Sequence, residues 1–240
     1  MWTERWLHVA DQRAWDMLAC ILRPGSSCLP NLRRISRTGT ALDTYCEPVH
    51  LFFWPRLQEL TFFVHRLQGD RHADSSAVPE NDETVMGLLT LAQHPTDIRR
   101  LEISGSRTGC NIQALLVNVI VKIPRLRAFR SHSDLPLLPP ALEYFASSHT
   151  LRSLDIHIDS DNYPSGVPST YNNAFSRLTE ITVRADTVEW CLSFAENLRS
   201  PSIKTISLYA SEDASPSFYA RLFAILADRP SNNRLRAVSI

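Results

Sequence analysis

The sequence predicts an α/β fold in which a strand and a helix or loop repeat along the chain. One phrase, L-x-x-L-x-L with Ile, Val or Phe accepted at the apolar places, recurs eight times in the 240 residues. Its copies begin at Leu32, Leu57, Ile98, Leu126, Leu151, Leu178, Ile203 and Leu235. The successive spacings are 25, 41, 28, 25, 27, 25 and 32 residues, mostly within the roughly 20 to 29 residues of a leucine-rich repeat. We therefore predict a leucine-rich-repeat solenoid, with a curved parallel sheet on the concave face and helices and loops on the convex face.

A column of polar residues supports the same repeat. It lies eight places after the first residue of seven phrases and comprises Thr40, His65, Ser106, Asp134, Asp159, Asp186 and Ser211. A polar side chain here turns the chain out of the strand and satisfies backbone groups that would otherwise be buried without partners. The column indicates that the phrases are structural units rather than chance clusters of leucine.

Helices are predicted where the apolar residues between phrases change to i, i+3, i+4, i+7 spacing. The clearest helix runs from Ile112 to Ile123 and stops at Pro124, because proline cannot continue a helix. Shorter stretches with the same spacing are Val85–Ala92, Leu142–Phe145, Val188–Ala195 and Phe218–Leu226.

Two helix starts carry a capping signal. Asp186 with Glu189 resembles a capping box, in which the two side chains satisfy backbone N–H groups reciprocally. Ser215 followed by Pro216 predicts a cap with proline in the first helical turn.

The repeats also predict the domain boundaries. We expect residues 1–28 to form an N-terminal helical cap; its tryptophans fit one face of an amphipathic helix, although a partner-binding stripe is the alternative. Residues 29–240 form the repeat domain of about eight repeats. Gln68–Asp82 and Asp159–Asn173 are rich in polar residues, proline and glycine and predict loops. The last phrase ends at Ile240 with no cap beyond it, which predicts a truncated last repeat.

The composition of the chain argues against several classes of binding partner. Lys plus Arg and Asp plus Glu number 25 each, so no net positive field points to nucleic acid or to a membrane surface. The five cysteines are scattered and lack C-x-x-C spacing, which argues against a disulfide framework and a zinc site. No secretory leader or bilayer-length apolar run is present. We expect a cytoplasmic or nuclear protein without metal or cofactor.

No motif with a built-in catalytic mechanism occurs, so we predict no enzyme and no catalytic residue. The segment from Asp155 to Asp161 contains carboxylates and an imidazole that could suggest a metal site or, around His157, an active site. The repeat instead places Asp155 and His157 on outward positions of a strand, Asp159 in the polar column and Asp161 at the start of a loop. Coordination needs convergent ligands rather than such an alternating row. Ser131 to Asp134 contains serine, histidine and aspartate, but neighbours on a strand seldom form a triad.

Strand alternation predicts which side chains point out of the concave face. The residues of that face that we expect to bind a partner are Phe63, Arg130, His132, Asp155, His157, Arg184 and Tyr209. Aromatic and guanidinium groups of this kind supply much of the binding energy at protein interfaces when they are desolvated. For any one of them, an ordinary solvated surface side chain is the alternative interpretation.

Three phrases carry a family resemblance, namely Leu29–Ile35, Trp54–Leu60 and Ser148–Ile156. They resemble the repeat region of F-box proteins from mushroom-forming fungi, and the similarity covers nearly the whole chain, although the F-box itself is absent. The resemblance implies a scaffold that presents a protein substrate on its concave face to a cullin-RING ubiquitin ligase. A Skp-type adaptor is implied as a partner only if an F-box precedes this chain. The alternative is a free-standing leucine-rich-repeat binding protein with no ubiquitin-ligase role.

Overall fold

A computed structural model describes residues 31–40, 56–65, 97–105, 110–132, 137–159, 175–198, 200–212, 214–228 and 237–239. The predicted N-terminal cap at 1–28 and the predicted helix at 85–92 lie outside these residues. The predicted loop at 68–82 and residues 160–173 of the second predicted loop also lie outside them.

Eight strands form one parallel sheet in which every strand lies beside its neighbours in sequence. They are β1 Arg34–Thr40, β2 Glu59–His65, β3 Arg100–Gly105, β4 Ala128–Ser131, β5 Ser153–Ile158, β6 Glu180–Ala185, β7 Thr205–Ala210 and β8 Ala237–Ser239. Each strand contains the second apolar place of one copy of the repeated phrase. The α/β architecture with a single parallel sheet is confirmed.

The register of the sheet follows the phrase. The second apolar places of successive phrases are paired directly across the strands and comprise Ile35, Leu60, Leu101, Phe129, Leu154, Ile181, Ile206 and Val238. A slip of one residue would turn the apolar places of a strand to the opposite face of the sheet. The common register therefore keeps the second apolar places of all strands on one side.

Four helices follow the sequence prediction: α1 Cys110–Val121, α2 Pro139–Ser147, α3 Val188–Asn197 and α4 Pro216–Ala227. The prolines that open α2 and α4 occupy positions where a helix needs no N–H. No helix among the described residues is long and apolar enough to cross a membrane.

The two predicted caps differ in outcome. Ser215 caps α4 by accepting a hydrogen bond from the backbone N–H of Phe218, as predicted. The capping box at α3 is wrong, because the N-cap is Thr187 and its side chain makes no capping hydrogen bond. Asp186 lies one residue too early, and its carboxylate contacts the ring of His157 on the preceding strand, β5.

The core lies between the sheet and the helices. The second apolar places of β2 to β7 are at most 1% exposed and pack in one cluster with buried residues of all four helices. Within this core the rings of Phe129 of β4 and Phe145 of α2 pack together, with centroids 4.8 Å apart. The alternate side chains of the strands lie on the other side of the sheet, which we call the open face.

A row of backbone hydrogen bonds links neighbouring strands at the edge of the sheet where the strands begin. The carbonyl of Arg33 accepts hydrogen bonds from both Gln58 and Glu59, at 2.8 and 2.9 Å. The same pair of backbone hydrogen bonds recurs at each following strand, where the accepting carbonyls belong to Gln58, Arg99, Arg127, Arg152 and Thr179. The residues that immediately precede the strands are thereby fixed in one row.

Candidate functional site

The sheet brings the predicted partner-binding residues into two neighbouring rows of the open face. Arg130 is paired with Asp155 in one row, and His157, Arg184 and Tyr209 are paired successively in the other. His132 directly follows β4. The backbone of Phe63 occupies the second row in β2, opposite Ser104.

Asp155 is the centre of an ion-pair network. Its side chain is only 12% exposed, and its Oδ2 lies 3.0 Å from Nε of Arg130. From the other side Arg184 donates through Nη1 to Oδ1 and through Nη2 to Oδ2, the latter at 3.4 Å. Two guanidinium groups therefore share one carboxylate, and one of them uses the two-pronged geometry that fixes the orientation of both groups.

Glu102 has the equivalent role on β3, next to β4. Its side chain is 13% exposed, and Oε1 lies 3.6 Å from Nη1 of Arg130 and 3.3 Å from Nε2 of His132. Arg100 approaches the other oxygen, Oε2, at 3.7 Å. Arg130 thus connects Glu102 to Asp155.

These groups form a chain of alternating charge across β3 to β6 that ends on a ring of β7. We call it the open-face ladder; its members are Arg100, Glu102, Arg130, Asp155, Arg184 and Tyr209. The Cζ atom of Arg184 lies 5.9 Å from the centroid of the Tyr209 ring, within the range of a cation–π contact.

The arginine side chains of the ladder are more exposed than its acidic side chains. Asp155 and Glu102 are 12% and 13% exposed, whereas the three arginine side chains are 31% to 49% exposed. Each guanidinium has five N–H donors, and the carboxylates use only some of them. The ladder consequently presents oriented donors and an aromatic ring outward and keeps its acceptors beneath them.

His157 belongs to the same face but has a different partner. Its Nε2 lies 3.4 Å from Oδ1 of Asp186, its side chain is 17% exposed, and its Nδ1 is buried without a hydrogen-bond partner. Asp155, two residues earlier, faces the two arginines instead. Within the described ranges, no group of three or more His, Cys, Asp and Glu side chains is placed to hold a metal ion.

Sequence reasoning found the rows but did not select all of the interacting residues. The predicted binding set does not include Arg100 and Glu102, although strand alternation places both on the same face as Arg130. The sequence also predicts a helix cap for Asp186, which contacts His157 instead. The signal that could have selected Glu102 is its place in the alternating row Glu102, Arg130, Asp155 across three consecutive strands.

No protein-family model matches the chain, and no curated protein or solved structure matches it either.

Proposed function

We propose that this chain is a leucine-rich-repeat solenoid whose open face binds a protein partner without catalysing a reaction. The solenoid is supported by the position of one phrase at every strand and by the sequential order of the strands. It is also supported by the common register of the phrases. Stacked repeats of this kind form extended binding surfaces.

The observation that carries the proposal is the open-face ladder. Its arginines are held in position by two carboxylates whose side chains are only 12% and 13% exposed, so less side-chain entropy is lost when a partner binds them. Arginine and tyrosine are also the residue types that most often dominate interface energy. A face that offers both, already oriented, is suited to the backbone carbonyls and side chains of another protein.

The binding role is tested by selecting peptides from a phage-displayed library on the whole chain and measuring their dissociation constants. Tyr209→Ala should weaken a selected peptide by roughly 30-fold, corresponding to about 2 kcal/mol for an interface hot spot. Tyr219→Ala is the matched control, because Tyr219 is similarly exposed, 37% against 44%, but lies on α4. Failure to select any peptide, or equal effects of the two substitutions, contradicts the proposal.

For the wider role, we propose substrate recognition within a cullin-RING ubiquitin ligase, on the strength of the resemblance to fungal F-box proteins. The link requires an F-box upstream of Met1 in the full-length transcript and co-purification of the full-length product with a Skp-type adaptor. If the native protein starts at Met1 and does not retain the adaptor, the chain acts as a free-standing binding protein.

A further inference from the structure

The edge of the sheet where the strands begin is strongly basic. The row fixed by the double backbone hydrogen bonds consists of Arg33, Gln58, Arg99, Arg127, Arg152, Thr179 and Lys204. Five of these seven side chains are cations and none is acidic. The parallel order of the strands places them all at the same edge.

A second row, two residues earlier in each repeat, adds to this charge. It consists of Asn31, Arg56, Asp97, Arg125, Thr150, Arg177 and Ser202, with three cations and one carboxylate. We define the basic rim as the eight cations of the two rows, namely Arg33, Arg56, Arg99, Arg125, Arg127, Arg152, Arg177 and Lys204. All of them except the half-buried Arg99 are exposed.

The single carboxylate of the two rows, Asp97, balances only two of the rim cations, in the third and fourth of the seven repeats. Asp97 accepts from Nη2 of Arg99 at 3.1 Å and from Nη1 of Arg125 at 3.2 Å. Burial raises the pKa of Asp97, but hydrogen bonds and charge attraction from the two arginines outweigh burial and lower its pKa below 3.8. The carboxylate therefore stays charged at neutral pH and is fully engaged.

The remaining cations have few anionic neighbours. Arg56 donates to the amide oxygen of Asn31 at 3.2 Å. Across the described residues, no ion pair involves Arg127, Arg152, Arg177 or Lys204, which lie on consecutive repeats. Adjacent strands are about 4.8 Å apart, well within the Debye length of about 10 Å at 0.1 M salt. The charges of neighbouring repeats therefore reinforce one another.

We propose that the basic rim binds an acidic segment of a protein partner. The segment would lie extended along the edge of the sheet where the strands begin. Seven strands at about 4.8 Å spacing give a row of roughly 29 Å, and an extended segment of about nine residues has the same length. Its aspartate and glutamate side chains would each reach one or two rim cations. This surface is separate from the open-face ladder and does not depend on it.

The rim favours a peptide over a nucleic acid because its two rows lack aromatic side chains. Proteins that bind single strands combine a positive groove with aromatic side chains on which the bases stack. None of the fourteen described positions in the two rows is aromatic. Carboxylates need only the guanidinium and ammonium groups that the rim supplies.

The test measures fluorescence anisotropy of a peptide of about twelve residues, alternating Glu and Ser and carrying an uncharged dye, with the whole chain. The same peptide with Gln in place of Glu is the uncharged probe, and a thymidine oligonucleotide of equal length is the nucleic-acid probe. We expect the Glu peptide alone to bind well, and its affinity to fall steeply as salt is raised.

Matched variants locate the binding. Arg152→Gln should weaken the Glu peptide by about 2- to 5-fold. The triple variant Arg127→Gln/Arg152→Gln/Arg177→Gln should weaken it by roughly 8- to 100-fold, because independent free-energy losses add. Arg221→Gln removes the same single charge as Arg152→Gln from an exposed side chain on α4 and should change nothing. Urea unfolding checks that the triple variant is folded. If it is unfolded, the comparison of Arg152→Gln with Arg221→Gln decides whether the rim binds the peptide.

Three results would overturn the proposal. One is equal binding of the Glu and Gln peptides, and another is equal binding of the Glu peptide by wild type and the rim variants. The third is tighter, rim-dependent binding of the oligonucleotide, which would assign the rim to nucleic acid.

Discussion

Replacing Asp155 by Asn removes the charge that Arg130 and Arg184 share. Asn keeps the shape of the side chain but cannot form two ion pairs, so the open-face ladder is divided in the middle. A hydrogen bond to a charged group is worth about 1.5–3 kcal/mol when it is sheltered from water, and an exposed ion pair about 0.2–1 kcal/mol. Because the carboxylate is 12% exposed but its arginines are 31% and 45% exposed, we expect Asp155→Asn to lower the free energy of unfolding by about 1–3 kcal/mol.

The exposed pair of Arg221 and Glu196 provides the control for Asp155→Asn. Its nitrogen and oxygen are 2.7 Å apart, but its side chains are 63% and 43% exposed. If burial and sharing decide the contribution, Glu196→Gln should cost less than about 0.5 kcal/mol despite this short contact.

Urea unfolding followed by circular dichroism measures both effects, with the slope against urea unchanged if the variants remain two-state. The loss for Asp155→Asn corresponds to a fall in Tm of about 2–4 °C per kcal/mol for a domain of this size. An Asp155→Asn variant as stable as Glu196→Gln would refute the argument that the ladder is an organised network.

Three further substitutions and one labelling experiment test the described structure. Phe145→Ala should lower the free energy of unfolding by about 3–5 kcal/mol in urea titrations, because it leaves a cavity beside Phe129; a loss below 1 kcal/mol contradicts this packing. Ser215→Ala should cost about 1 kcal/mol in the same assay through loss of the α4 cap, and an unchanged midpoint contradicts it. Burial raises the pKa of Cys191 to about 11, so its thiolate is scarce at neutral pH, and mass spectrometry should find it alkylated by iodoacetamide only after unfolding. Asp97→Asn should be less stable than wild type at neutral pH, and the gap should close as pH falls below 3.8, because a lowered pKa contributes stability that protonation removes; a gap independent of pH contradicts the ion pairs.

The strands and their register could be predicted from the sequence because one repeated pattern determines both. The apolar places that define the phrase are the residues that must be buried, so aligning Leu101 with Phe129 and Leu154 in sequence also aligns them in the sheet. The predicted helices follow from the same burial requirement at helical spacing. Caps are harder to predict, because Asp186 fits a capping box equally well whether its carboxylate bonds locally or, as here, contacts a neighbouring strand.

The positions that line the open face could be predicted from the sequence, but the ion pairs between their side chains could not. Alternation showed that Asp155 points away from the core, yet burial of its carboxylate depends on two arginines that come 25 residues earlier and 29 residues later in the chain. The basic rim was missed for a related reason. Equal totals of 25 cations and 25 anions conceal a segregation by position within the repeat, which is visible only when residues such as Arg127 and Arg152 are compared at the same place in each phrase.

The sequential order of the strands has a consequence for how such a chain can change its length. Because each strand is hydrogen-bonded only to the strands before and after it, duplication or deletion of one complete strand-to-strand segment leaves every other pairing intact. A row built from one residue per repeat, such as the basic rim, would gain or lose one position with each such event. The reach of the rim can thus be adjusted in steps of about 4.8 Å without redesign of any existing repeat.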